Sequence, residues 1–176
     1  MNTQIKTRVL FVCLGNICRS PTAHGVFETL RDQRGLGSLI EVDSCGTGNW
    51  HVGEAPDRRA SAEARKRGYE LDHLRARQLQ AADFEHFDYI LAMDRLNLAD
   101  LQAMCPPGYG GHLGLFLPFA ALGPGAAFSH EVPNEVPDEV PDPYYGGDDG
   151  FTHVLELVER ASEGLLQEIS SAYPAR

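Results

Sequence analysis

Cys13 and Arg19 stand at the two ends of a C-x5-R spacing in the string Cys13-Leu14-Gly15-Asn16-Ile17-Cys18-Arg19-Ser20, with Pro21 next. A loop that curls around an anion with its N–H groups inward, and then feeds a helix N-terminus, makes a phosphate-sized nest with a favourable dipole. Leu14, Gly15, Asn16, Ile17 and Cys18 are the residues of that loop, and Gly15 and Asn16 suit the positive φ angles such a curl needs. The donors that hold an anion also favour thiolate over thiol at Cys13, which makes it a candidate nucleophile. Arg19 adds a planar fork able to grip two phosphoryl oxygens and follow them as charge shifts. Ser20 can donate a hydrogen bond to the thiolate, keeping it ionised and improving it as a leaving group. A C-x5-R spacing alone is common, and a cysteine at a strand end is often a small buried hydrophobe. The complete string in a strand, loop and helix context is far more specific.

That context is legible. The β-branched and aromatic run over 7–13 reads as a buried parallel strand closed by a glycine turn. Ser20 as N-cap with Pro21 in the first turn opens a helix carrying Ala23, Val26, Phe27 and Leu30 at helical spacing up to Gly35. A second strand is expected over 41–45, a helix over 57–67, and a third strand over 89–93 leading into a helix capped by Asp94. A fourth strand is expected over 113–116. The last helix has Phe151, Val154, Leu155, Val158, Leu165 and Ile169 on one face, with Asp148 and Asp149 at its start. Alternation of strands and helices predicts an α/β fold: a central parallel sheet of about four strands, helices on both faces, and a site at the carboxyl ends of the strands.

The chain of 176 residues, 43% of them hydrophobic, suits one domain over 1–176. Its rhythm breaks at about 123–141, a Pro- and acid-rich loop insertion. There Gly-Pro-Gly precedes three copies of one unit: Glu131-Val132-Pro133-Asn134, Glu135-Val136-Pro137-Asp138 and Glu139-Val140-Pro141-Asp142. Proline every fourth residue forbids helix and central strand, so an extended acidic loop is expected, read as a solvated linker. A formal charge of -10 argues against a general grip on nucleic acid or an anionic membrane surface. An anionic substrate must therefore be held by a local site. No window approaches the roughly 20 apolar residues of a membrane span, so no membrane insertion is expected. The run over 9–14 is too short for a signal-peptide core. Four cysteines, at 13, 18, 45 and 105, fit neither a disulfide framework nor a zinc site, which points to the reducing cytoplasm and to no metal or other cofactor. Cys45 and Cys105 read as ordinary core or surface thiols.

In three separated loops the chain resembles the low-molecular-weight protein tyrosine phosphatases. The string from Val12 to Pro21 is similar to their phosphate loop. Gly46-Thr47-Gly48-Asn49-Trp50-His51-Val52-Gly53 is similar to a wall of their substrate cleft, and Asp142-Pro143-Tyr144-Tyr145-Gly146-Gly147 to their general-acid loop. The resemblance implies hydrolysis of phosphotyrosine in proteins through a phosphocysteine intermediate, with Cys13 as nucleophile, Arg19 as clamp, Ser20 as thiolate partner and Asp142 as general acid, then base. It also implies that Asn16 and His73 brace the phosphate loop and that Trp50, Tyr144 and Tyr145 flank the substrate ring. An aspartate beside aromatic residues suits protonation of a departing phenolate, and aromatic walls favour a ring substrate. The family protects its nucleophile by a reversible disulfide, which implies redox sensitivity for the Cys13 and Cys18 pair; a packed thiol is the alternative for Cys18. Bacterial members often act on tyrosine kinases that control polysaccharide export, so the implied partner is a tyrosine-phosphorylated protein, a bacterial tyrosine kinase among the options. The insertion departs from the family pattern and offers Asp138 as a second acid candidate.

Three other functions compete. An arsenate reductase would need two further cysteines in relay, and only Cys105 lies downstream of Cys45. A protein arginine phosphatase would have a narrower acid-loop wall than Trp50, Tyr144 and Tyr145 provide. An inactive phosphate-binding relative would be expected to lack the nucleophile or the acid, and both are present.

Overall fold

The computed structural model describes residues 6–122, 138–144, 147 and 149–173. The chain runs β1 (Thr7–Cys13), α1 (Arg19–Gln33), β2 (Ile40–Gly46), α2 (Arg58–Lys66), α3 (Asp83–His86), β3 (Tyr89–Ala92), α4 (Arg95–Met104), β4 (His112–Leu115), a 3-10 turn (Leu117–Leu122) and α5 (Asp149–Ser170). The four strands form one parallel sheet in the order β2-β1-β3-β4. Chain direction across the sheet reverses between β1 and β3, which opens a crevice at their carboxyl ends.

Strand β1 is buried on both sides, and its two faces seed two cores. Val9, Phe11 and Cys13 pack with Ala23, Val26 and Phe27 of α1 and with Val154, Leu155 and Val158 of α5. Leu10 and Val12 pack on the opposite face with Phe84 and Phe87 around α3 and with Leu101 of α4. The period of two along a strand dictates this split. Phe11 anchors the larger core, with edge-to-face contacts to Phe27 at 5.6 Å and Phe116 at 4.8 Å.

Local chemistry sets the helix ends. Asp57 caps α2 by accepting from the Arg59 amide, and Asp94 caps α4 by accepting from the Asn97 amide at 2.8 Å. Helix α1 closes with Gly35 at φ 70°, donating to Asp32, while Leu36 donates to Arg31. That paired closure suits a residue without a Cβ. The start of α1 differs from expectation: Ser20 is not its N-cap. The helix begins at Arg19, Cys18 takes the cap position with no side-chain bond, and the Ser20 hydroxyl turns inward instead. The expected 41–45, 89–93 and 113–116 strands are Ile40–Gly46, Tyr89–Ala92 and His112–Leu115. Most of the insertion, 123–137, lies outside the described residues, as does Asp148. No described helix is long and apolar enough to cross a membrane.

On α1, His24 is buried and its Nδ1 lies 3.0 Å from Ser44 Oγ, while Nε2 lies 3.3 Å from Glu28. The hydrogen bond from His24 lowers the Glu28 carboxyl below its ordinary value of 4.5, outweighing burial. A carboxyl depressed in the folded state contributes stability above its unfolded pKa and loses it as pH falls through the folded one. Glu28→Gln should therefore flatten the decline of stability below pH 4.5, measured by urea unfolding across acid pH.

Candidate active site

The end of β1 delivers Cys13 to the floor of a cavity of about 340 Å³, with Leu14, Gly15, Ile17, Cys18 and Arg19 around it. Trp50, His51, Asp142 and Tyr144 complete the lining. The thiol is almost wholly buried. Its Sγ lies 3.0 Å from Ser20 Oγ and accepts from the Asn16 amide at 3.2 Å. Asn16 turns the loop with φ 58°, a left-handed conformation that asparagine tolerates better than most side chains.

Asn16 also orders the hydroxyl. Its Nδ2 donates to Ser20 Oγ at 2.7 Å, and its Oδ1 accepts from the Arg77 amide at 3.1 Å. With one lone pair of Ser20 taken, the Ser20 proton has two acceptors within reach: Cys13 Sγ at 3.0 Å and the Cys45 carbonyl at 3.4 Å. The sulfur is closer and has the larger radius, so the tighter contact is to the thiol. Asn16 and Ser20 thus stand behind the sulfur rather than on the cavity wall.

Arg19 is buried, which requires partners for its charge. Nη1 donates to Asp94 Oδ2 at 2.6 Å and to the Val140 carbonyl at 3.0 Å. Nη2 lies 3.8 Å from Asp142 Oδ2. Burial opposes the cation, but Cys13 and Asp94 outweigh it and hold the guanidinium charged. Asp94 serves twice, because its Oδ1 caps α4. Asp142 Oδ1 accepts from the Tyr144 amide at 3.0 Å, and the carboxylate is partly open to solvent. Asp138 does not line the cavity; it pairs with Arg95.

The walls come from neighbouring loops. Trp50 lies across Gly48, where an added Cβ would come within 2.0 Å of the indole. Asp57 ties the start of α2 to the phosphate-loop segment through its amide, 2.7 Å from the Ile17 carbonyl. Arg59, chelated by Asp57, donates to the Tyr144 carbonyl at 3.2 Å and stacks over Phe151, 4.6 Å from its centroid. Tyr145 lies outside the described residues. Cys13 and Cys18 are both buried free thiols, and burial, the largest effect, pushes the Cys18 thiol up to about 12.

His73 does not brace the loop. Its ring is more than half exposed, and Nε2 sits 3.8 Å from Glu28. The bracing falls to Arg77, four residues on, through its backbone amide. Asp94, Arg77 and Arg59 act here without having been singled out as site members by sequence; of these, Asp94 alone carried a signal, as a helix cap.

Residues 8–174 match the family model for low molecular weight phosphotyrosine protein phosphatase. The chain belongs to that family. A low molecular weight protein-tyrosine-phosphatase of Streptomyces coelicolor is 43% identical over 96% of this chain and 97% of its own. One from Schizosaccharomyces pombe is 42% identical over 93% and 97%. The crystal structure of YfkJ from Bacillus subtilis superposes with a TM-score of 0.83 at 35% identity, covering 98% of this chain and 100% of that one.

In this member of the family, β2 and the phosphate loop come so close that only glycine fits at 46. A Cβ there would lie 2.6 Å from the Leu14 carbonyl and 3.2 Å from the Asn16 amide. The same junction carries Thr47 N to Cys13 O and Gly48 N to Leu14 O, both 2.9 Å. Gly46→Ala should cost about 1–3 kcal/mol of stability, as overpacking does. It should also weaken inhibition by inorganic phosphate, because the loop must shift. Urea unfolding and phosphate inhibition check the two effects separately.

Proposed function

We propose that the protein hydrolyses phosphotyrosine in proteins through a phosphocysteine intermediate, acting as one phosphatase domain over 1–176. The observation that carries this reading is the buried Cys13 thiol, hydrogen-bonded by Ser20 and the Asn16 amide, in one cavity with Arg19 and Asp142. The Cys13 thiolate attacks phosphorus as the bond to the tyrosyl oxygen breaks. Asp142 gives its proton to that oxygen. In the second step Asp142 takes a proton from water, water attacks phosphorus, and the P–S bond breaks to return the thiolate. Ser20, ordered by Asn16, stabilises the departing sulfur.

Arg19 is tethered through Nη1, which leaves its Nη2 edge facing Asp142 across the cavity. That edge is suited to carry phosphoryl charge through both transition states. Leu14, Gly15, Ile17 and Cys18 line the phosphate end, and Trp50 and Tyr144 form walls suited to an aryl group. The protein partner would be tyrosine-phosphorylated, with a tyrosine kinase as the source of that phosphate. Thiolate chemistry and four free cysteines fit the reducing cytoplasm.

Cys13→Ser should abolish turnover while keeping vanadate or phosphate binding, because the loop and Arg19 survive. Rapid acid quench of the wild-type protein should trap a phosphocysteine. Substantial turnover by the serine variant would sink the nucleophile assignment.

Asp142→Ala should lower the rate on phosphotyrosine by roughly 10²- to 10⁴-fold, the range for a positioned acid. The loss should shrink for aryl phosphates with acidic phenols, whose leaving group needs no proton. Asp138→Ala, held by Arg95 away from the cavity, should change the rate by less than about twofold, as expected for a surface position. The reverse pattern in paired kinetics would move the acid to Asp138.

A further inference from the structure

A proton donor must be held close to the departing oxygen. The short stretch before Asp142 contains contacts that the chemistry itself does not use. Val140 is fully buried in the core, its amide donates to the Met93 carbonyl at 2.8 Å, and its carbonyl accepts from Arg19. One residue earlier, Glu139 Oε1 accepts from the Arg95 amide at 2.8 Å and lies 3.3 Å from Arg95 Nη1. Arg95 is the first residue of α4, so the Glu139 carboxylate sits on an amide that the helix leaves unpaired and at the positive end of its dipole. Arg95 also pairs with Asp138.

We propose that Glu139, latched onto Arg95 and the start of α4, is a positioning residue for Asp142. Two features make the latch effective. Pro141 and Pro143 fix their own φ and restrict the backbone of Val140 and Asp142 before them, which limits how much of a displacement at 139 the stretch can absorb. Asp94, the cap of the same helix, holds Arg19, so one helix start orients both the acid loop and the clamp. The Glu139–Arg95 pair is largely solvent-exposed and contributes little to stability as an exposed ion pair. Its effect is on where the carboxyl of Asp142 lies.

The inference rests on Asp142 being the general acid, and the test separates the two. It reads kcat/KM for a series of aryl phosphates of graded phenol acidity, together with inhibition by inorganic phosphate. Glu139→Ala should lower kcat/KM about 10-fold for phosphotyrosine, a loss typical of a small misplacement of a catalytic group, and less than about twofold for a nitrophenyl phosphate. Phosphate inhibition should not move, and the melting temperature should fall by no more than a few degrees, as loss of one helix-start contact does. Glu139→Gln keeps an acceptor for the Arg95 amide and should recover most of the loss, and Arg95→Ala, which keeps that amide, should cost much less than Glu139→Ala. Added to Asp142→Asn, Glu139→Ala should cost nothing more, because the two act through one carboxyl. An equal loss on every substrate, full additivity with Asp142→Asn, or no loss would each overturn the latch. If Asp142→Asn itself lacks leaving-group dependence, the acid assignment fails; if it has that dependence and Glu139→Ala does not, only the latch fails.

Discussion

A guanidinium can be buried only if its charge and its N–H groups are answered, and Arg19 is buried at the meeting point of three loops. Its Nη1 is shared between Asp94 and the Val140 carbonyl. Asp94 in turn starts α4, and Val140 hangs from Met93 beyond the end of β3. The demand of one buried cation therefore joins the phosphate loop, the helix after β3 and the segment that carries Asp142. Removing any partner would strand a charge in a low-dielectric site, which is costly. The cavity takes its shape from these contacts.

Behind the thiol a second set of contacts works by the same logic at lower charge. Arg77 donates its amide to Asn16, Asn16 donates to Ser20, and Ser20 stands against the sulfur. The Arg77 side chain is itself held by Asp43 and Asp83. Each member is satisfied by the next, so the hydroxyl direction is imposed by its surroundings. Gly46 allows the strand end to approach closely enough for this packing. In a chain with formal charge -10, Arg19 is the one arginine or lysine that lines the cavity among the described residues.

The strands, the main helices and the phosphate loop were legible because their signals are local. A buried parallel strand needs a continuous apolar run, a helix needs its period and caps, and the loop needs residues suited to its own curl. Asp94 could be read as a cap from its position alone. Ser20 was misread as a cap because its type fits one, while the pull of a thiol seven residues earlier depends on how the loop bends. His73 matched a family position by type but points to Glu28 on α1, and the backbone of Arg77 does the bracing. A backbone donor leaves no mark in residue identity.

By itself, the sequence determined the alternation of strands and helices, the position of Cys13 at a strand end, and the loop chemistry of Arg19 and Ser20. Those follow from period, side-chain type and short spacing. Only the tertiary structure decided which carboxylate answers Arg19 through its buried Nη1, how the last Glu-Val-Pro-Asp unit is held against the cavity, and why position 46 has no side chain. The physical reason is that these depend on approaches between segments far apart in the chain. Asp138 and Asp142 are equivalent within their repeats; the Pro143-Tyr144 context singles out Asp142 in the sequence, and the burial of Val140 with the contacts of Arg95 and Arg19 puts its carboxylate, not that of Asp138, at the cavity.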